Sequence, residues 1–426
     1  MITGVPARDI REAAEIFAGA ASAVIIYGMG ITQHTTGVDN VKSVANLLML
    51  TGNMGRKGTG FSPLRGQNNV QGACDMGALP NVYPGYQKVD NPDVQAKFAS
   101  AWGVDLSDQK GMALTDMVKA AGRGKLHGMY IVGENPLMSE PDLEHTREAM
   151  AKLRYLAVQD IFPTETAMIA DVILPATSFA EKNGTFTNTE RRIQMVNQAL
   201  QPLGHTKLDW QILTELSSRL GYPMSYPDSN AIMEEIARLT PIYGGVSHRR
   251  LQRPGGLQWP CWDSRHGGTP RLHAKQFTRG KGKFHAVAYK PPAEIPSTDF
   301  PLVLTTGRVL EHFHTGSMTR RSRVLESLEP HGHLDMCEQD ARTIGVEADE
   351  FIQVASPRGR VTVQVRIDNK IPAGTVFMAF HWKEAPANVL TNSAVDPIAR
   401  IPEYKVSSIR VEKAVNMQPT IEKSIH

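Results

Sequence analysis

Two hydrophobic periods alternate along the first half of the chain. Residues 8–20 carry apolar positions at helical spacing, and Ala23-Val24-Ile25-Ile26-Tyr27 is an unbroken apolar run ending at Gly28-Met29-Gly30, which predicts a short buried strand entering a loop. From Val38 to Leu50 the apolar residues fall at 38, 41, 44, 47 and 48, the stripe of a one-sided helix, and Gly52 is placed to stop it. The order is strand, glycine loop, helix. It returns where Met129-Tyr130-Ile131-Val132 leads into Gly133-Glu134-Asn135-Pro136 and a helix from about Asp142. It returns again at Tyr155-Leu156-Ala157-Val158 before Gln159-Asp160, and at Val172-Ile173-Leu174 before Pro175. Strands separated by helices predict parallel α/β sheets, whose ligands sit beyond the carboxyl ends of the strands.

The second half changes character. Two helices are expected around 208–237, after which the stretch from Arg249 to Lys290 holds ten Lys or Arg against one acid, Asp263, among many Gly and Pro residues. That composition predicts an irregular basic connector or lobe near anionic groups. Beyond Pro291-Pro292 the pattern turns to strands, clearest at Leu302-Val303-Leu304, Phe351-Ile352-Gln353-Val354, Val361 to Val365 and Val376-Phe377-Met378-Ala379. Pro357-Arg358-Gly359-Arg360 reads as a hairpin turn, and a small β-barrel follows. The expected fold is α/β, with parallel-sheet, dinucleotide-binding-like domains followed by a carboxyl-terminal β-barrel. The expected limits are 1–67 for the end of one α/β domain, 68–240 for a second, 241–297 for the connector, 298–415 for the barrel and 416–426 for a tail.

A length of 426 residues suits two or three domains, since single cores rarely grow far past ~250 residues. A formal charge of +3 does not argue for nucleic acid, and the basic stretch lacks a recognition-helix period or an aromatic stacking pattern. No window reaches the roughly 18 to 20 apolar residues of a membrane span, and the first thirty residues do not read as a signal peptide, so a cytoplasmic location is expected. Cys74, Cys261 and Cys337 are far apart and outside any CxxC pair, which supports neither a disulfide framework nor a self-contained iron-sulfur or zinc site.

Arg65 to Gly77 carries the most informative chemistry: one arginine and a row of carboxamides threaded through glycines. A guanidinium fork in a glycine-permitted loop suits a planar anion, and a structural Asn/Gln-rich turn is the other reading. Arg65 and Gln67 are the candidates for substrate. Met29, Gly30 and Gln33 follow the first strand, where they would meet a ligand or merely permit a tight turn. Gly133, Glu134, Asn135, Gln159, Asp160, Thr164 and Asp171 are placed similarly in the second α/β region. Carboxylates beyond strands receive ribose hydroxyls or guanine nitrogens, although each residue taken singly also reads as a cap or turn former. In the barrel, Thr306, Gly307, Arg308, His312, His314 and Ser317 form a polar cluster after a strand, with Asn392, Tyr404 and Lys405 near the carboxyl end. His312 and His314 have no third ligand of metal-site spacing.

Several stretches together resemble the molybdopterin oxidoreductases, and within them the catalytic subunit of molybdenum- or tungsten-dependent formate dehydrogenase. They are residues 27–33, 50–55, 65–77, 170–175, 184–192 and 305–308, of which 65–77 points most narrowly to formate dehydrogenases. The resemblance covers essentially the whole chain and is weaker between 240 and 295. It implies reversible oxidation of formate to carbon dioxide at a molybdenum or tungsten bis(molybdopterin guanine dinucleotide), with Arg65 orienting formate and Gln67 lining the same pocket or touching the pterin. It makes the barrel residues lids over the dinucleotides, with Arg308 and Lys405 as phosphate partners. It also implies that the chain corresponds to the carboxyl-terminal part of such an enzyme. The cysteine or selenocysteine metal ligand and the 4Fe-4S cluster then belong to an absent amino-terminal portion, and electron-transfer subunits are the expected partners. An inert cofactor-binding or assembly subunit, or a sister enzyme such as a nitrate reductase, are the alternative readings. Neither nucleic acid nor a transmembrane segment is expected.

Overall fold

The computed structural model of the protein describes residues 3–414, so the expected tail at 416–426 lies outside the described residues. Two compact units form, each assembled from segments distant in sequence. The first gathers residues 3–32, Val38–Ala113 and Pro175–Tyr289; the second gathers Gln33–Gly37, Leu114–Leu174 and residues 290–414.

In the first unit the helix Ala7–Gly19 precedes the strand Val24–Tyr27, as the apolar periods predict. That strand runs parallel to Gly60–Pro63 with Val24 opposite Gly60 and Tyr27 opposite Pro63. The expectation of a buried strand is corrected: Ile26 is 63% exposed and Val24 45%. An apolar run tells of a strand but not of what covers it, and this strand has one partner in a two-stranded sheet. The helix Gly37–Leu50 follows, and Gly52 adopts the left-handed φ of +66° that ends it. A second, antiparallel sheet joins Gly184–Thr187, Arg192–Val196 and Leu257–Gln258. Ile193, Met233, Tyr243, Leu251 and Cys261 pack there as a core. The basic stretch therefore contributes a strand and part of a core, while much of it is irregular.

In the second unit Gly128–Val132 pairs parallel with Tyr155–Asp160, and the crossover carries the helices Pro136–Ser139 and Leu143–Met150. Val172–Pro175 continues the sheet. The expected barrel is closed and six-stranded. Its order is Leu302–Gly307, Thr375–Ala379, His333–Met336, Arg360–Ile367, Phe351–Ala355 and Ser407–Lys413, the last returning to the first. Alternate residues face inward, so Leu304, Leu334, Ile352, Val365, Val376 and Met378 are fully buried. The expected hairpin turn is present, with Ser356 N–H donating to Gly359 O at 2.9 Å. Among the described residues no helix is long and apolar enough to cross a membrane.

Candidate functional site

Arg65 lies just past the carboxyl end of Gly60–Pro63, where Leu64 N–H still donates to Tyr27 O at 2.7 Å. The parallel register brings Met29 and Gly30, in the turn of helix Met29–Thr32, to the same end of this sheet. Gln33 falls in the second unit. Arg65 N–H donates to Thr189 Oγ1 at 3.3 Å, and its Nη2 donates to Gln71 Oε1 at 3.3 Å. The guanidinium edges an open cleft of about 380 Å³ lined also by Gln67, Asn68, Asn188, Thr189 and Glu190. Glu190 does not compete for Arg65, because Arg192 Nε pairs with it at 2.7 Å and holds its carboxyl below the usual range. The loop is pinned by Asn69 Oδ1, which accepts Thr187 N–H at 2.9 Å. Gly72 is required by this close approach, since a Cβ there would overlap Asn69 Oδ1. The cleft can therefore offer a guanidinium and several amides to a small anion.

At the carboxyl ends of the second unit's parallel strands the expected residues divide. Asp160 Oδ1 accepts the amides of Ile161 at 2.6 Å and Phe162 at 3.4 Å, while burial raises its pKa. Glu134 Oε2 accepts Asn135 N–H at 3.1 Å and Ser139 Oγ–H at 3.3 Å. Asn135 is spent within the protein. Its amide nitrogen donates to Glu165 at 2.8 Å, and its oxygen accepts from Thr166 N–H and Oγ–H at 3.1 and 2.8 Å. Thr164 Oγ1 accepts Ala167 N–H at 3.3 Å, and fully buried Gln159 bonds to the Tyr130 hydroxyl. Asp171 is not brought to this group. Its carboxylate accepts Leu156 N–H at 2.7 Å, four residues back along the strand from Asp160, or roughly 13 Å at ordinary strand rise.

The barrel's loops also sort into structural and available groups. His312 is committed at both ring nitrogens, to Glu329 O at 2.7 Å and Thr319 Oγ1 at 3.2 Å. Asn392 is committed to Val406 O at 2.7 Å and Ala394 N–H at 2.9 Å. Thr306 Oγ–H donates to Tyr404 O at 2.9 Å, and Tyr404 Oη–H to Ser139 O at 2.7 Å. Ser317 Oγ lies 3.1 Å from Thr315 Oγ1. His314 anchors His381 through its carbonyl at 2.5 Å, and burial lowers the pKa of its own ring. Arg308, beyond Gly307, is different. Its guanidinium lies 5.3 Å from the Phe313 ring centroid and 5.7 Å from that of Phe380, and its buried Nε has no hydrogen-bond partner. Lys405 donates to Thr306 O, and its pKa is pushed down to about 8 by burial and then by Arg308. Among the described residues neither cation is paired with a carboxylate. Two desolvated positive charges, one with an unused buried donor, fit a phosphate-bearing ligand.

Sequence reasoning passed over the residues behind Arg65. Gln71 and Asp75 are four apart on the helix Val70–Asp75, a spacing that puts them on one face and was readable. Tyr86 and Tyr243, which reach the same carboxylate, carry no local signal.

Residues 12–219 match the molybdopterin oxidoreductase family and residues 302–408 the molydopterin dinucleotide binding domain. The chain is 47% identical over 416 residues to a formate dehydrogenase subunit alpha of Methanocaldococcus jannaschii, covering 97% of this chain and 61% of that one. It is 40% identical over 418 residues to formate dehydrogenase H of Escherichia coli, covering 96% and 58%. It thus spans about three fifths of these relatives' length. Acetylene hydratase from Pelobacter acetylenicus superposes with a TM-score of 0.71 at 17% identity, over 97% of this chain and 64% of that one, a likeness of fold alone.

Proposed function

The chain belongs to the molybdopterin oxidoreductase family, and we propose that it supplies the substrate-orienting and dinucleotide-holding residues of a formate dehydrogenase. The observation carrying this reading is the Arg65 guanidinium at the edge of a polar cleft, bonded to one neutral amide and leaving its other donors to a ligand. Formate has two equivalent oxygens and one negative charge, so a two-pronged fork fixes both its position and the direction of its C–H bond. Gln67, Asn188 and Thr189 give the cleft neutral polar groups, and the Glu190 carboxylate that also lines it is paired with Arg192.

The cofactor we infer is a molybdenum or tungsten bis(molybdopterin guanine dinucleotide), which supplies the two-electron redox step when bound. Arg308 and Lys405 would hold its phosphate groups, and Glu134 and Asp160 would receive nucleoside hydroxyls or ring N–H groups. Gln159, Asn135, Thr164, His312, Asn392 and Tyr404 shape the surrounding loops. The metal's protein ligand and a 4Fe-4S cluster would come from outside the described residues, in the portion of the relatives' length that this chain does not span.

The test is kinetic, in the complete metal-loaded enzyme containing this chain. Arg65→Lys keeps the charge but loses the planar pair of donors, and should lower kcat/KM for formate by at least ~10-fold, with Arg65→Ala lower still; each factor of ten is about 1.4 kcal/mol. Metal and pterin content should stay near wild type. Unchanged formate kinetics in Arg65→Ala would reject the substrate role, and an emptied cofactor site would move Arg65 among the cofactor-holding groups.

A further inference from the structure

Behind Arg65 a buried carboxylate is surrounded by neutral donors. Asp75 is fully buried. Its Oδ1 accepts Gln71 Nε2–H at 2.8 Å and Tyr86 Oη–H at 2.7 Å, and its Oδ2 accepts Tyr243 Oη–H at 2.7 Å. Gln71 Nε2 also lies 2.9 Å from Tyr86 Oη. The chain of bonds closes on the same loop, since Tyr243 Oη is 3.1 Å from Thr187 Oγ1 and Thr187 N–H is held by Asn69.

This arrangement has a direction. A glutamine amide has nearly the same shape either way round, and only its bonding decides which end faces where. With Nε2 drawn to Asp75, Oε1 must face the Arg65 guanidinium. Turned over, an oxygen would oppose the carboxylate and an NH2 would oppose the guanidinium. Burial and then Asp75 push the Tyr86 phenol above its ordinary range, so it stays a donor; burial and Asp75 raise Tyr243 as well. Tyr86 is held at a φ of +60° next to Gly85 at +75°, a left-handed conformation that bulky residues avoid.

We propose that Asp75 is a positioning residue for Arg65, acting by locking the Gln71 amide, with Tyr86 as the second half of the lock. The inference rests on the reading of Arg65 as the formate-orienting group.

The test uses the complete metal-loaded enzyme. Asp75→Asn removes the charge that orients the amide and should raise KM for formate about 10-fold while kcat changes less than about threefold; Tyr86→Phe should raise KM about threefold. Metal content and pterin content should stay near wild type. Because the effect passes through Arg65, adding Asp75→Asn to Arg65→Lys should cost less than about twofold more. If Arg65→Lys is impaired while Asp75→Asn and Tyr86→Phe keep the wild-type KM, the positioning role is wrong and the substrate role of Arg65 stands. Full additivity in the double variant would also reject it. If Asp75→Asn does not fold, Tyr86→Phe decides by the same measurements. Unchanged kinetics in Arg65→Ala would remove the premise itself.

Discussion

Lys405 shows how a single side chain reports its environment. Its pKa is pushed down to about 8 by burial and by Arg308, so the folded chain binds this proton less tightly than the unfolded chain does. Between roughly pH 8 and the unfolded value near 10.4 the unfolded state holds more protons, and stability from this residue rises with pH across that window. Below it, the charged ammonium weighs against folding unless an anion faces it. We expect the melting temperature of the cofactor-free chain to rise from pH 7.5 to 9.5 more than that of Lys405→Met. Equal slopes for the two proteins would show that Lys405 is not desolvated as described. The family resemblance made Arg308 and Lys405 phosphate candidates. The commitment of His312 and Asn392 to neighbouring backbone was not, because a residue's type does not reveal which carbonyl folds back upon it.

Elements were the most legible scale. The barrel strands alternate in sequence, and their inward set forms one cluster in the structure. Leu334 is fully buried, on a strand between Arg360–Ile367 and Thr375–Ala379. Leu334→Ala should cost about 2–5 kcal/mol, as a cavity in a closed barrel collapses little. Leu310→Ala, at a residue 97% exposed, should stay within about 0.5 kcal/mol. The denaturant midpoint of the barrel compares the two, and similar shifts would contradict the assigned core. The Val24–Tyr27 strand marks the limit of this legibility. Its existence was evident from the apolar run, but its exposed Val24 and Ile26 depend on what lies across from it.

At the scale of the molecule, the protein's own cysteines bear on activity. Cys261 and Cys337 are buried, and among the described residues no group of three or more His, Cys, Asp and Glu side chains is placed to hold a metal ion. Residues 1–426 assayed alone are therefore expected to show no formate-dependent dye reduction. Robust turnover by the pure chain would overturn this. The sequence by itself determined the parallel α/β pattern and the carboxyl-terminal barrel and singled out the Arg65 loop as a candidate, because hydrophobic period and residue chemistry are written locally. Tertiary structure alone decided that residues 114–174 pack with the barrel while 175–289 pack with the first strands. It alone brought Tyr86 and Tyr243 to Asp75, separated Asp171 from the strand ends and left the Arg308 Nε without a partner. The physical reason is one of range: a period fixes which face of an element is apolar, whereas a hydrogen bond between residues 168 positions apart, as from Tyr243 to Asp75, exists only once the chain has folded around it.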